Sequence, residues 1–231
     1  MPQSENRILN ALQPSLYSAL EAHVTQVDLK FGAIVAEQGQ RVDRVYFPHT
    51  GVVSLVVEMK DGGLIETAMV GADGAVNATS ALDGQISLHK AIVQVAGFAT
   101  VVPADVLRGL ANESEPLRSL LIAHEQVLFA QAQQSAGCNA SHTVEERMCR
   151  WLLRIRDLTG SDEMKLTQEF IGQMLGAQRS SVSLVAGTLQ KAGLIRYSRG
   201  HIDLLNVEEL KQAACECYET VKGHYERLTK L

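Results

Sequence analysis

LTQEFIGQMLGAQRSSVSLVAGTLQKAGLIRYSRGHIDLL, residues 166–205, decides how this 231-residue chain is read. Thr167 is an N-cap type of residue, and the short helix it opens, Gln168–Leu175, carries Phe170, Ile171, Met174 and Leu175 on its apolar face. Gly176 supplies a tight turn. A second helix from about Gln178 to Ala192 turns Val182, Val185 and Leu189 inward and Gln178, Arg179, Ser181 and Ser183 outward. Helix, three- or four-residue glycine turn, helix is the helix-turn-helix pattern. Gly193–Tyr197, Ser198-Arg199-Gly200-His201 and Ile202–Leu205 then make a small β-hairpin, which in this position is a wing with a basic tip.

The residue types fit a duplex. An arginine at the start of the second helix can present two parallel donors to guanine O6 and N7. Hydroxyls and backbone N–H groups at helix starts hold phosphates. The candidate DNA-binding residues are Thr167, Gln168, Gln178, Arg179, Ser180, Ser181, Ser183, Lys191, Arg199 and His201. Charge supports this choice locally. The chain carries a net charge of −5, yet Lys165–His201 holds Lys165, Arg179, Lys191, Arg196 and Arg199 against Glu169. An acidic protein can bind a polyanion through such a surface, because the field near a ligand is set locally.

Upstream, the grammar changes. Val24–Phe31, Arg44–Phe47, Gly51–Met59, Leu64–Val70 and Ala91–Val95 are apolar or alternating runs separated by glycine-rich breaks, and Ala91–Val102 reads as two strands joined by a turn. Lys60-Asp61-Gly62-Gly63 is a hairpin signal, since Asp-Gly accepts the positive φ that such turns need. Many short strands at near-regular spacing predict a closed or sandwiched antiparallel fold such as a jelly roll. Asn6–Ala22, interrupted by Pro14, predicts two short helices. A long helix starts at Ser114-Glu115-Pro116, with Leu117, Leu120, Leu121, Val127 and Leu128 at helical steps and His124 and Gln131 near the same stripe. That stripe either packs on its own domain or forms a dimer seam. Gly137–His142 is the expected hinge, before a helix Val144–Leu158 with Met148, Trp151, Leu152 and Ile155 on one face. Trp151 is read as core.

Other chemistries find little support. The sequence has no G-x-S-x-G, P-loop or H-E-x-x-H motif, and no catalytic residue is assigned. Cys138, Cys149, Cys215 and Cys217 are expected to be free thiols. Cys215-x-Cys217 is half a metal site at most, with no Cys or His pair at ligand spacing to complete it, so no metal and no cofactor are assigned. The start, MPQSENRILNALQP, lacks the basic-then-apolar order of a secretory signal, and no apolar run reaches the ~20 residues of a membrane span. A cytoplasmic protein with no membrane partner is expected.

The chain resembles transcription regulators of the Crp/Fnr family. The resemblance is carried by Val45-Tyr46-Phe47-Pro48 to Val53-Ser54, by Cys138-Asn139 to His142 running into Val144–Arg147 and Arg150–Leu153, by Leu166–Glu169 to Gly193-Leu194-Ile195, and by Cys215-Glu216-Cys217-Tyr218. It implies an α+β chain: a cyclic-nucleotide-binding-like β jelly roll (a double-stranded β-helix) at 1–110, a dimerisation helix and hinge at 111–142, and a winged helix-turn-helix at 143–231. It also implies a homodimer on double-stranded DNA with an inverted-repeat operator, a small-molecule effector, and RNA polymerase as a candidate partner.

The departures from the family pattern are specific. Cyclic-AMP-binding members cradle the ribose phosphate with a Gly-Glu pair and an Arg-Ser or Arg-Thr step. The matching positions here are Ala75 and His89-Lys90, and the hydroxyl pair on the dimer helix is matched by Ala132 and Gln133. Replacing a bidentate arginine by His and Lys is not conservative towards phosphate. Cyclic AMP is therefore not expected, and any effector site would draw on Gly71, Gly74, His89, Lys90 and Gln133. No cysteine precedes Cys138, so the iron–sulfur chemistry of the oxygen-sensing branch is not expected either. The family's best-known reader follows its first arginine with Glu and a second Arg one turn on; here these are Ser180 and Leu184 beside Arg179, which predicts a different half-site. The competing expectation is a ligand-binding signalling module whose helix-turn-helix serves protein contacts.

Overall fold

A computed structural model describes residues 5–83 and 85–228. In chain order the elements begin with helices α1 (Arg7–Asn10) and α2 (Pro14–Glu21). Strands β1 (Thr25–Leu29), β2 (Ile34–Ala36), β3 (Arg44–Pro48), β4 (Val52–Glu58) and β5 (Leu64–Val70) follow, then a 3-10 turn, Ala78–Leu82, and strands β6 (Lys90–Val95) and β7 (Gly97–Pro103). Next come α3 (Ala104–Glu113), the long α4 (Glu115–Ser141) and α5 (Val144–Thr159). The chain continues through β8 (Glu163–Lys165), α6 (Gln168–Leu175), α7 (Arg179–Lys191), β9 (Ile195–Ser198), β10 (His201–Leu204), α8 (Val207–Ala213) and α9 (Cys217–Leu228). None of the helices among the described residues is long and apolar enough to cross a membrane.

Packing divides the chain into two compact units: residues 1–55, 68–130 and 224–231 in one, and 56–67 with 131–223 in the other. The first holds most of an antiparallel jelly roll. One sheet has the order β1-β7-β3 and the other β2-β6-β4-β5. On β3, Val45 and Phe47 alternate inward, while β7 is buried continuously from Ala99 to Val102; the two strands pair with Tyr46 opposite Val101. The Asp61-Gly62 turn forms as expected, with the Met59 N–H donating to the Gly63 carbonyl at 2.8 Å. Phe47, Val102, Leu107, Leu117 and Leu121 share one core with Ile8, Leu9 and Leu20 of the N-terminal helices. Full burial of a side chain of this size contributes roughly 1.5–3 kcal/mol.

Several expectations change. β2, α3, β8, α8 and α9 were not anticipated from the sequence. Their places come from pairing and packing, as where β8 adds to the wing through Ile202 opposite Met164. On α4, Leu117, Leu121, His124, Leu128, Gln131, Ser135 and Cys138 are buried at alternating steps of three and four. Leu117 and Leu121 therefore pack on their own unit. The apolar residues left in solvent are Ile122 and Phe129, at 42% and 65% exposure. Residues 137–141 are not a hinge: they are the last turn and a half of α4, and the break falls at residues 142–143. There Thr143 caps α5, its hydroxyl accepting from the Glu146 N–H while the Glu146 carboxylate accepts from the Thr143 N–H at 2.8 Å.

Candidate nucleic-acid interface

The reader is built on α5, α6 and α7, with the wing behind them. Met148, Trp151, Leu152 and Ile155 are fully buried along α5, so this helix is the floor of the unit. Trp151 donates its indole N–H to the Glu66 carboxylate at 2.9 Å, satisfying the one polar group of its ring, as the core reading requires. Arg147 is also buried, and it donates to the Leu175 carbonyl. That bond satisfies a carbonyl at the C-terminus of α6, where helices leave four without intrahelical partners.

The Thr167 hydroxyl caps α6 by accepting from the Phe170 N–H at 3.1 Å. Gly176 ends the helix at φ 58, left-handed backbone that a glycine adopts without strain. Val182, Val185, Ala186 and Leu189 bury one side of α7. The opposite side is then fixed by geometry: Ser180, Ser183 and Leu184 face solvent, with Arg179 at the first helical position and Gln178 at the N-cap, making no cap bond of its own. The Ser183 hydroxyl donates to the Gln168 side-chain carbonyl and ties the starts of the two helices together.

The wing is a tight hairpin. Arg199 and Gly200 have φ of 49° and 79°, the paired positive values of a two-residue turn that follows the twist of its strands. An arginine in that conformation is uncommon and mildly strained. The wing is held to the entry of α6 by the Leu166 N–H donating to the Gly200 carbonyl at 2.8 Å and by the Tyr197 hydroxyl donating to the Leu166 carbonyl at 3.2 Å. Burial raises the pKa of that hydroxyl, keeping it a donor.

Of the ten predicted DNA contacts, Thr167, Gln178, Arg179, Ser180, Ser183, Lys191, Arg199 and His201 are exposed, and Gln168 and Ser181 are half-buried. Arg179, Gln178, Ser180 and Ser183 gather at one end of α7. Lys191 stands at the other, roughly 18 Å away along the axis at 1.5 Å per residue. Leu184 was left out of that set. It is 74% exposed, and its signal in the sequence is an apolar residue off the buried stripe of its helix.

The five proposed effector residues are divided between the two units, Gly71, Gly74, His89 and Lys90 in the first and Gln133 in the second. Gly71 and Gly74 lie in a turn already filled by protein. Asn6 donates to the Gly74 carbonyl at 2.8 Å, and a Cβ on Gly74 would fall 2.6 Å from His124 Cε1. Nε2 of His124 lies 3.2 Å from the Ala75 backbone N and 2.9 Å from its carbonyl O, and burial lowers the pKa of this imidazole. His89 and Lys90 begin β6. Burial lowers the His89 pKa, disfavouring the cation an anionic ligand would want, and Lys90 pairs with Glu37 at 3.5 Å. Gln133 is exposed on α4. A concavity in the β roll, about 280 Å³, is lined by Glu37, Arg41, Asp43, Arg44, Tyr46 and Asn77 among others. It includes none of the five.

Comparison with known proteins agrees with this geometry. Residues 146–213 match the Crp-like helix-turn-helix domain. Over 224 residues, 90% of this chain and 96% of the relative, the sequence is 24% identical to a CRP-like cAMP-activated global transcriptional regulator of Mycobacterium tuberculosis. The crystal structure of a CRP/FNR-family transcriptional regulator from Thermus thermophilus, TTHA1359, covers 82% of this chain and 98% of its own with a TM-score of 0.63 at 24% identity. That of FixK2 from Bradyrhizobium japonicum covers 83% and 98% with a TM-score of 0.69 at 19% identity. Residues 146–213 thus carry a Crp-like helix-turn-helix domain, and over most of its length the chain is similar in sequence and fold to CRP/FNR-family transcription regulators.

Proposed function

We propose that this regulator acts as a homodimer on an inverted repeat, each α7 entering one of two major grooves about one helical turn apart. The observation that carries this is the edge of α7. Arg179, Ser180, Ser183 and Leu184 project from a helix whose other side is buried, and neither Arg179 nor Leu184 has a structural task. Arg179 reads guanine through O6 and N7, and Leu184 packs on a thymine methyl, an apolar contact available only in the major groove. Gln178, Thr167, Arg199 and His201 contact phosphates and fix the register. Ile122 and Phe129, seven residues apart on the solvent face of α4, support a seam between two copies.

The functional division follows 1–110 as sensor, 111–142 as dimerisation helix and 143–231 as reader. An effector of the β roll would bias two arrangements of the dimer, each with its own population. Cyclic AMP is not that effector in this reading: the turn at Gly74-Ala75 is occupied by His124, and His89 and Lys90 are poor substitutes for a bidentate arginine. The protein works in the cytoplasm, with duplex DNA as its partner and RNA polymerase as a further one, and catalysis has no part in the reading.

Selection of genomic fragments by the purified full chain, with and without cyclic nucleotides, tests this. An inverted repeat enriched without nucleotide is expected. Enrichment only with a nucleotide overturns the effector reading. A chain that stays monomeric at micromolar concentration with its enriched DNA overturns the dimer. No enriched sequence under any condition favours a helix-turn-helix used for protein contacts.

A further inference from the structure

Four donors that lie far apart in sequence meet at one point. Cys138 and His142 stand one turn apart at the C-terminal end of α4, a spacing visible only once residues 137–141 are seen to be helical. Cys215 and Cys217 flank Glu216 at the start of α9. The three Sγ atoms and a ring nitrogen of His142 all lie within 4.8 Å of one another; the cysteines are buried and the histidine is half-buried. Cys138 Sγ is 3.5 Å from Cys215 Sγ, and Cys217 Sγ is 3.7 Å from His142 Nδ1.

These separations are those of a tetrahedron. With zinc–sulfur bonds of about 2.3 Å and zinc–nitrogen bonds of about 2.0–2.1 Å, the edges come to roughly 3.8 Å between sulfurs and 3.5 Å between sulfur and nitrogen. A 4Fe–4S cluster would hold each thiolate on a different iron, farther apart, and a 2Fe–2S centre would split the four ligands between two irons. The surroundings match a metal site as well. His142 directs Nε2 at the Glu216 carboxylate, 3.2 Å away, which leaves Nδ1 turned to the sulfurs; a carboxylate behind a ligating imidazole is the usual support. Gln134 donates to Cys217 Sγ at 3.0 Å. Charge completes the case. Three thiolates, a neutral imidazole and a divalent ion sum to −1. Arg150 and Arg147 of α5 lie buried close by, electrostatically coupled to Cys138, and each keeps an Nε with no hydrogen-bond partner. Neutral thiols would leave these cations without an anion; a thiolate-bound zinc gives them one.

We propose that Cys138, His142, Cys215 and Cys217 form a closed Cys3His zinc site that pins the end of α4 to the start of α9. With all four positions filled by protein the site is structural rather than catalytic. It fastens the helix that leads into the reader to the segment that follows the wing, so its loss would loosen the reader without touching Arg179. The four cysteines are free of disulfides, as expected; the proposed metal departs from the sequence reading because helix α4 and the fold supply the pairing that linear spacing did not reveal.

Metal analysis of the full chain purified without chelator tests this, with an expected content of about one zinc per chain. After chelation, titration with Co2+ should produce thiolate-to-cobalt charge transfer in the near ultraviolet and strong visible bands of a tetrahedral ion at one equivalent. Cys217→Ser and His142→Gln should each weaken cobalt binding by about 10–100-fold, with their folding checked by circular dichroism. Less than about a tenth of an equivalent of zinc, together with a featureless cobalt titration of protein whose four thiols are all titratable, would overturn the site. So would a Cys138–Cys215 disulfide found in the protein as isolated under reducing conditions. Neither readout involves DNA, so failure here is separable from failure of the operator-binding reading.

Discussion

The reading edge of α7 and the turn at Gly71–Gly74 in the β roll were both candidate sites, and the fold treats them in opposite ways. On α7 the side chains are free because the helix needs only its other face; Arg179 and Leu184 are exposed and have no packing role. In the β roll the corresponding turn is consumed by structure, with Asn6 and His124 bonded to its backbone. A site read from local spacing survives folding when its neighbours are set by a helix. In a β roll the neighbours are set by register and by segments far away in sequence, and His124 sits 49 residues from the Ala75 it bonds.

Substitutions can break or sharpen that contrast. The largest effect is expected in the β roll. A Cβ on Gly97 would lie 2.2 Å from the Thr50 carbonyl oxygen, so Gly97→Ala should cost about 3 kcal/mol in urea unfolding and change DNA selection only through the fraction folded. Arg179→Ala should do the reverse. Operator binding weakens by about 1–3 kcal/mol and preference relaxes at one base pair, while the melting temperature stays put. If Arg179→Ala melts early, the edge is structural and the contrast fails.

Glu125 supplies a pH test within the first unit. Burial raises its carboxyl pKa to about 7, partly opposed by a hydrogen bond from the Thr79 backbone. A carboxyl with a raised folded pKa contributes stability that is full below its unfolded value and lost as pH climbs through about 7. Unfolding free energy should therefore fall by on the order of 3 kcal/mol between pH 4.5 and 8, and Glu125→Gln should flatten that slope. The smallest effect is expected at the wing. Arg199→Gly removes the phosphate contact proposed for the wing and a left-handed arginine together. Binding should weaken equally on all sequences, the slope of log affinity against log salt should drop by about 1, and stability should hold or rise by about 0.5 kcal/mol.

How much could be read from the chain follows the same division. The helix-turn-helix and wing were legible because Gly176, Arg199-Gly200 and the Val182–Leu189 stripe act over a few residues. The β3, β4 and β5 runs and the Asp61-Gly62 hairpin were legible from alternation and turn chemistry. β2, at three residues, is too short to show a period; α3, with Ala104, Leu107 and Ala111 buried at steps of three and four, carries a helical pattern that the sequence reading passed over. Gly137 suggested a break in α4, yet the helix continues through it, and that one misreading hid the one-turn spacing of Cys138 and His142. For the effector residues the sequence was silent on occupancy: the turn at Gly74-Ala75 is filled by Asn6 and His124, contacts that only the fold brings there. Leu184 was noted where the family carries its second arginine but was left out of the contact set, because a leucine offers no hydrogen bond to a base; its 74% exposure is what brings it back.

The most direct test of the central claim is fluorescence anisotropy of the selected operator and a scrambled duplex, titrated with wild-type chain and Arg179→Ala at several salt concentrations. We expect the wild type to prefer its operator and to lose affinity for both duplexes steeply with salt, while Arg179→Ala keeps the salt slope and loses about 10–100-fold on the operator alone. Equal loss on both duplexes, or no preference by the wild type, would contradict an α7 edge that reads bases.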